Sequence, residues 1–293
     1  MLDSFGRQQC AGIKRDGTRC TRFVTASTSD RQTQSRSTTP SPSPAKKRIT
    51  KAAPGSASTS LAPGSGLALG RPGPGQSPSS ENEDDLGIAP DYCFQHVAEI
   101  NKTTGFILPN GKHISFSMYI PSTLSARAQA RLRTALSTPP TPTDLKEQGY
   151  CYVYELRDRA RSGREGRSNG SGATACFKVG RSINVFKRLD EWRSRCQSAD
   201  PILRSFLPAQ QGQMLLAGAS TASVPGVRLS RRWERLCHLE LEDVGERVNE
   251  ECKDCKSKHR EMFMVELQKG GYEAVLQIVR RWMHFVQIVA DAY

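Results

Sequence analysis

Residues 26–82 are built from Ser, Thr, Pro and Gly and hold almost no large apolar side chain. A stretch of that make-up cannot bury enough surface to offset the entropy of ordering it, so it is read as a disordered linker. This one feature sets the layout. Whatever folds must fold from a short N-terminal piece and from the chain beyond the linker. The expected organisation is a first piece at 1–25, the linker at 26–90, a second piece at 91–143 and the main domain at 144–293. The last boundary is placed at the helix-breaking run STPPTPTD (137–144).

With 37% hydrophobic residues in 293, the whole chain cannot be a single apolar core. The formal charge is +13, which points to a polyanionic partner, nucleic acid or an anionic surface. No run approaches the roughly 18 apolar residues that span a bilayer, so no membrane role is expected. MLDSFGRQQC lacks the apolar core of a secretion signal. An intracellular protein is therefore expected, with its nine cysteines serving as thiols or metal ligands rather than disulfides. Inside the linker, PAKKRIT presents Lys46, Lys47 and Arg48 after two Ser-Pro pairs. That basic cluster reads equally as a nuclear import signal or as a solvated charge run.

Periodicity then places the elements. Asn110-Gly111 lies between apolar runs in FILPNGKHISFS (106–117), a hairpin signal. Residues 122–137 have helix composition, with Leu124, Ala128, Leu132 and Ala135 near one face. GYCYVYEL (149–156) alternates and is rich in aromatic and β-branched residues, as a strand is. ACFKVG (175–180) is a second strand, separated from the first by a polar loop rich in Arg and Gly. Ile183 to Cys196 is a helix, with Ile183, Phe186, Leu189 and Cys196 assigned to its buried side. Residues 208–227 look irregular. Arg231–Leu241 and Arg260–Gln268 are expected to be helical or short packed segments. Residues 272–290 form a long amphipathic helix with Val275, Ile278, Val279, Trp282, Phe285, Val286 and Val289 on one face. The domain is thus mixed α and β.

The stretch CFKVGRSINVFKRLDEW (176–192) runs from strand through glycine to a basic helix. Extended to residue 195, it carries Lys178, Arg181, Lys187, Arg188, Arg193 and Arg195 against only Asp190 and Glu191. Arg188 and Arg195 are seven apart and share a helical face. Arg181 precedes the helix in line with them, and Gly180 allows close backbone approach to a ligand. Lys178, Arg181, Lys187, Arg188 and Arg195 are accordingly the candidate phosphate contacts. The same residues read equally as an amphipathic helix with a solvated basic side.

Two Cys/His sets have metal-ligand character. Cys10 and Cys20 flank Gly12 and Gly17, and DYCFQH supplies Cys93-x2-His96 far downstream. Together they make a Cys3His set suited to tetrahedral zinc, which would close the linker as a loop. ECKDCKSKHREMF supplies Cys252-x2-Cys255-x3-His259, a second ligand-like spacing. Its fourth ligand is not local. His238, in CHLEL with Cys237 behind it, is the candidate.

Gly149-Tyr150-Cys151-Tyr152, then Lys178-Val179-Gly180-Arg181, then Asn184 and Lys187-Arg188-Leu189, resembles the GIY-YIG nuclease superfamily. The nearest branch is the one named for the bacteriophage T-five Orf-172 DNA-binding domain, found in many fungal proteins. The resemblance covers roughly residues 145–270, and its strand-to-helix part is the specific portion. It implies a small α+β domain with a short antiparallel sheet flanked by helices. It also implies a first-strand tyrosine near the attacking water, a helix arginine on the phosphate and a glutamate holding one Mg or Mn ion. On this sequence those are Tyr152, Arg188 and Glu261, the last in a His-x-Glu-aromatic-Phe-like ending, HREMF. The N-terminal cysteine pattern likewise resembles a small zinc-binding element that precedes this domain in fungal relatives. The second-strand tyrosine position is Lys178, which can neutralise phosphate charge but cannot act as a phenol. By residues alone, Tyr152 is equally a packed strand tyrosine, with Tyr150 and Tyr154 on the same face, and Glu261 a surface carboxylate.

Three functions are therefore expected in descending order. The first is a DNA-binding protein with a GIY-YIG-like domain that grips the phosphate backbone and is catalytically weak or silent. The second is a divalent-metal-dependent DNA endonuclease. The third is a zinc-organised protein-interaction module.

Overall fold

The computed structural model describes residues 7–24, 91–157, 173–209 and 224–293. The linker expected at 26–90, with PAKKRIT inside it, lies wholly outside the described residues. So does most of the Arg- and Gly-rich loop and most of the irregular 208–227 stretch.

At the N-terminus, β1 (Gln8–Gln9) pairs antiparallel with β2 (Phe23–Val24), and Gly17 turns the chain between them at φ +79°. The short helix α1 (Phe94–Ile100) follows Cys93. The hairpin appears where Asn110-Gly111 placed it: β3 (Gly105–Ile107) pairs with β4 (His113–Ser115), and Gly111 takes φ +80°. Helix α2 (Ala126–Ser137) is capped by Ser125, which accepts from the Ala128 N–H, and buries Ala128, Ala130, Leu132 and Leu136. Helix α3 (Pro142–Lys146) starts with Pro142 and a reciprocal cap between Thr141 and Asp144.

The centre is an antiparallel sheet. Strand β5 (Gln148–Leu156) pairs with β6 (Thr174–Ser182) on one side and β7 (Pro201–Leu207) on the other. Beyond β6 lie β10 (Met262–Glu266) and β9 (Glu246–Arg247), while β8 (Val227–Arg228) pairs with the start of β5. Alternation along β5 divides two cores. Tyr150, Tyr152 and Tyr154 face helix α4 (Val185–Arg195), packing with Val185, Leu189, Leu203 and Phe206. Cys151 and Val153 face α5 (Ser230–Val244) and α6 (Gly271–Ala290), joined by Phe177, Val179 and Phe263. Every residue assigned to the apolar face of α6 is buried. The indole N–H of Trp233 donates to the Val279 carbonyl at 2.9 Å, tying α5 to α6.

Three local expectations change. Helix α4 begins at Val185, because Asn184 caps it by accepting from the Lys187 N–H at 3.0 Å. Ile183 therefore stands before the helix, 62% exposed, and Trp192 takes the buried position instead. The 260–268 region holds β10, a strand whose Phe263 and Val265 point into the core with period two. Strand β7 was not read from the sequence at all.

Residue 144 is no break in packing. Leu108, Ile114, Phe116, Leu132 and Leu136 share one apolar core with Val153, Trp233 and Phe285. The described residues all belong to one unit. Arg131 ion-pairs with Glu242 at 2.5 Å, and Arg232 donates to the Leu136 carbonyl at 2.9 Å. Helix α2 is thus a layer of the main fold, held by side chains that the Pro-rich run does not reveal. Among the described residues, no helix is long and apolar enough to cross a membrane.

Candidate functional site

Tyr152, Lys178 and Glu261 meet on the α4 side of the sheet. Tyr152 pairs with Gly180 and Tyr154 with Lys178 across β5 and β6, and the two tyrosine rings stack at 4.3 Å. A Cβ added at Gly180 would lie 2.5 Å from the Tyr152 hydroxyl oxygen and 3.1 Å from Glu261 Oε2. The missing side chain is what lets hydroxyl and carboxylate converge over the strand. Glu261 ends the loop before β10, and its carbonyl accepts the Val179 N–H at 3.1 Å.

Lys178 is 1% exposed and forms a short ion pair with Glu261. Its ammonium sits 4.7 Å from the centre of the Trp192 ring, a cation–π contact supplied by α4. Burial works to raise the pKa of Glu261, but the Lys178 ammonium and then His238 outweigh it and hold the carboxyl below its ordinary value. Burial, reinforced by the charge of Glu261, pushes the Tyr152 phenol well up. Its hydroxyl therefore stays protonated, a donor rather than a base. Arg188 is half-buried, ion-paired to Glu191 at 3.2 Å, and its charge also lowers the Glu261 pKa. Tyr152, Arg188 and Glu261 are thus brought to one locality, with Lys178 neutralising the carboxylate.

The five candidate phosphate contacts separate. Lys187 and Arg195 are exposed on α4, as is Arg193, and Arg188 lies at the edge. Lys178 is internal, so it is not a surface contact in this structure. Arg181 is not in line with α4 either. Odd-numbered residues of β6 face α5, and there the Arg181 N–H donates to Glu234 at 2.9 Å while its side chain ion-pairs with Glu234 (3.5 Å) and Glu147 (3.7 Å). Burial, then the Glu261 charge, raises Glu234 to about 8 against the pull of Arg181 and Lys178. No sequence signal marked Glu234, because its partners come from other elements.

Cys10, Cys20, Cys93 and His96 form a group whose ligand atoms all lie within 4.8 Å of one another, and it could hold a metal ion. The Cys10 and Cys93 sulfurs lie 3.5 and 3.3 Å from His96 Nδ1, and Cys20 Sγ lies 4.0 Å from Cys93 Sγ. A tetrahedron with bonds of about 2.3 Å has edges of about 3.8 Å, so the spacing fits. His96 Nε2 donates to the Ile13 carbonyl at 3.0 Å, which fixes the proton on Nε2 and turns the Nδ1 lone pair to the sulfurs. Gly12 makes this approach feasible, since a Cβ there would lie 2.3 Å from the His96 ring. Burial opposes charge on Cys93, yet the His96 backbone N–H and the Arg22 guanidinium bring its thiol down to about 6. That thiolate is ready for a metal near neutral pH.

The second group is Cys196, Cys252, Cys255 and His259, again within 4.8 Å. Cys196 Sγ lies 3.6 Å from Cys255 Sγ and 3.4 Å from His259 Nε2, and Cys255 Sγ lies 3.2 Å from the same nitrogen. His238 is not its fourth member. It is buried in α5, and its Nε2–H donates to the Val179 carbonyl at 2.7 Å beside the Phe263 ring. Cys237 is likewise buried in the core. The fourth residue of the group is Cys196, which caps the C-terminus of α4. Its place on the inner side of that helix was the one sequence signal that could have found it.

Residues 174–285 match the family described as "Meiotically up-regulated gene 113". The matched stretch contains Lys178, Arg188, Glu261 and the whole second Cys/His group, and it excludes Tyr152 and the N-terminal group. No curated protein matches the chain, and no solved structure does.

Proposed function

We propose that this protein binds nucleic acid, DNA foremost, by gripping the phosphate backbone through the outer face of α4 on a GIY-YIG-like scaffold. The observation that carries the reading is the division of the basic residues. Lys187, Arg193 and Arg195 are exposed along one helix, while Lys178 is sealed inside against Glu261. A carboxylate neutralised by a buried lysine has no charge to spare for a divalent ion, so the constellation keeps its shape without its chemistry. Exposed cations on a helix can displace counterions from a duplex without reading bases. In the same reading the N-terminal group holds structural zinc, which three thiolates and one imidazole favour. The nucleus is the compartment, reached through Lys46, Lys47 and Arg48.

The test is binding of the full chain to labelled linear and branched DNA over a salt series, followed by incubation with magnesium or manganese and a denaturing gel. Affinity should fall steeply with salt, with no cleavage products. Replacing Lys187 and Arg195 together by Ala should flatten the log–log slope by about 1.8, the loss of two phosphate contacts. Absent or salt-insensitive binding would sink the reading and favour a protein-interaction module. A second reading, a metal-dependent endonuclease, draws on the convergence of Tyr152, Arg188 and Glu261. It requires the Lys178–Glu261 pair to open for Mg or Mn, and products that vanish with Glu261→Ala would establish it.

A further inference from the structure

We infer that Cys196, Cys252, Cys255 and His259 hold a structural zinc ion that clasps the basic helix α4 to the segment presenting Glu261, making DNA affinity depend on zinc at this group. The DNA half of this inference rests on the reading above; the metal half stands by itself.

The four residues come from two separate parts of the chain. Cys196 closes α4, whereas Cys252, Cys255 and His259 lie on the loop after β9. That loop is shaped for ligands. The Cys252 N–H donates to the Ser257 carbonyl at 2.9 Å, the Lys256 N–H returns to the Cys252 carbonyl at 3.0 Å, and Lys256 takes φ +58° to close the turn. Asp254 accepts from both the N–H (2.8 Å) and the hydroxyl (2.7 Å) of Ser198, so the loop is already laid against the turn after α4. All three cysteines are free thiols. The edges among Cys196, Cys255 and His259 run from 3.2 to 3.6 Å, slightly shorter than those of a tetrahedral cage, and all four ligand atoms lie within 4.8 Å of one another. Three thiolates and one neutral imidazole around zinc make a complex of net charge −1, and Lys253, Lys256 and Lys258 lie on the same loop.

The link to Glu261 is direct. His259 precedes it by two residues, and the His259 ring lies 4.6 Å from the Trp192 ring of α4. Trp192 in turn covers the Lys178 ammonium that pairs with Glu261. An ion held by Cys196 and His259 therefore fixes the distance between the helix bearing Lys187, Arg188 and Arg195 and the strand edge bearing Glu261.

The test uses the full chain. Metal content by elemental analysis, and the thiolate-to-cobalt absorption after cobalt(II) exchange, should give two ions in the wild type. One should remain in Cys196→Ser, one in Cys10→Ser and two in His238→Ala. At fixed salt, Cys196→Ser should bind DNA at least tenfold more weakly, Cys10→Ser within twofold of wild type, and Cys196→His should recover both the ion and the affinity. The histidine variant, checked by circular dichroism, decides the matter if the serine variant does not fold. Two ions retained in Cys196→Ser would overturn the site. One ion lost with affinity unchanged would overturn the clasp. A wild type that binds two ions and no DNA would overturn the function and the clasp but uphold the site.

Discussion

The two Cys3His groups share a ligand formula and differ in what surrounds them. Among the described residues, the apolar cluster around the N-terminal group is Cys10, Cys20 and Cys93 themselves, with only Val24 and Tyr92 packed against it. Its strands are two residues each, far too short to hold by pairing. The C-terminal group leans on Trp192 and on a domain whose sheet has an apolar core on both faces. The same chemistry therefore does different work. In the first region the ligands are the core, and a metal would supply the fold. In the second the fold exists already, and a metal would set the spacing of two of its parts.

The largest effect should separate the regions outright. Chelation, or Cys93→Ser, should abolish amide protection across residues 7–24 in hydrogen exchange while β5 and β6 keep theirs. A structural zinc site is worth about 10–16 kcal/mol, more than this small cluster can replace. Cys252→Ser should lose protection only around 250–260 and the end of α4. Protection of 7–24 that survives metal removal would break the comparison.

Next comes the interior on which the second group rests. Lys178→Ala leaves Glu261 buried near Glu234 without its partner, and urea unfolding should show a loss of about 3–5 kcal/mol. Lys178→Met combined with Glu261→Gln should recover most of it.

The same interior should respond to pH. Glu234 sits at about 8 in the fold, well above the ordinary carboxyl value, so the folded chain holds a proton that the unfolded chain has lost. Stability should then fall as pH rises from about 5 to 8, and Glu234→Gln should flatten that slope. Glu261 has the opposite sign: its contribution is present above the ordinary carboxyl pKa and is lost as pH falls from there through its depressed folded pKa.

The smallest effect sharpens the first region. Gly12→Ala places a methyl group against the His96 ring, so competition with a chelator should show metal affinity lowered about 10–100-fold. The N-terminal hairpin should otherwise stay formed with metal in excess.

Much of this molecule was legible residue by residue. The long apolar face of α6, the alternation of β5 and the Asn110-Gly111 turn follow from fixed backbone periods of 3.6 and 2.0. Cys93-x2-His96 works for the same reason: three residues along the first turn of α1 bring two ligands to one side. Strand β10 was missed because five residues carry too little pattern to tell a strand from a packed helical turn. Helix α4 starts two residues later than its apolar pattern predicts, because the cap at Asn184 outweighs the apolar character of Ile183.

The sequence by itself determined β5, β6, α2 and α6, the basic helix and three of the four residues in the second Cys/His group, because each depends on neighbours along the chain. Only the tertiary structure decided that Cys196 rather than His238 completes that group, that Lys178 turns inward to Glu261 and that Arg181 serves α5. Those partners lie 59, 83 and 53 residues apart. At such separations local periodicity carries no information. Which side chains meet is fixed by how the sheet and helices pack, and by the need of each buried charge for a partner.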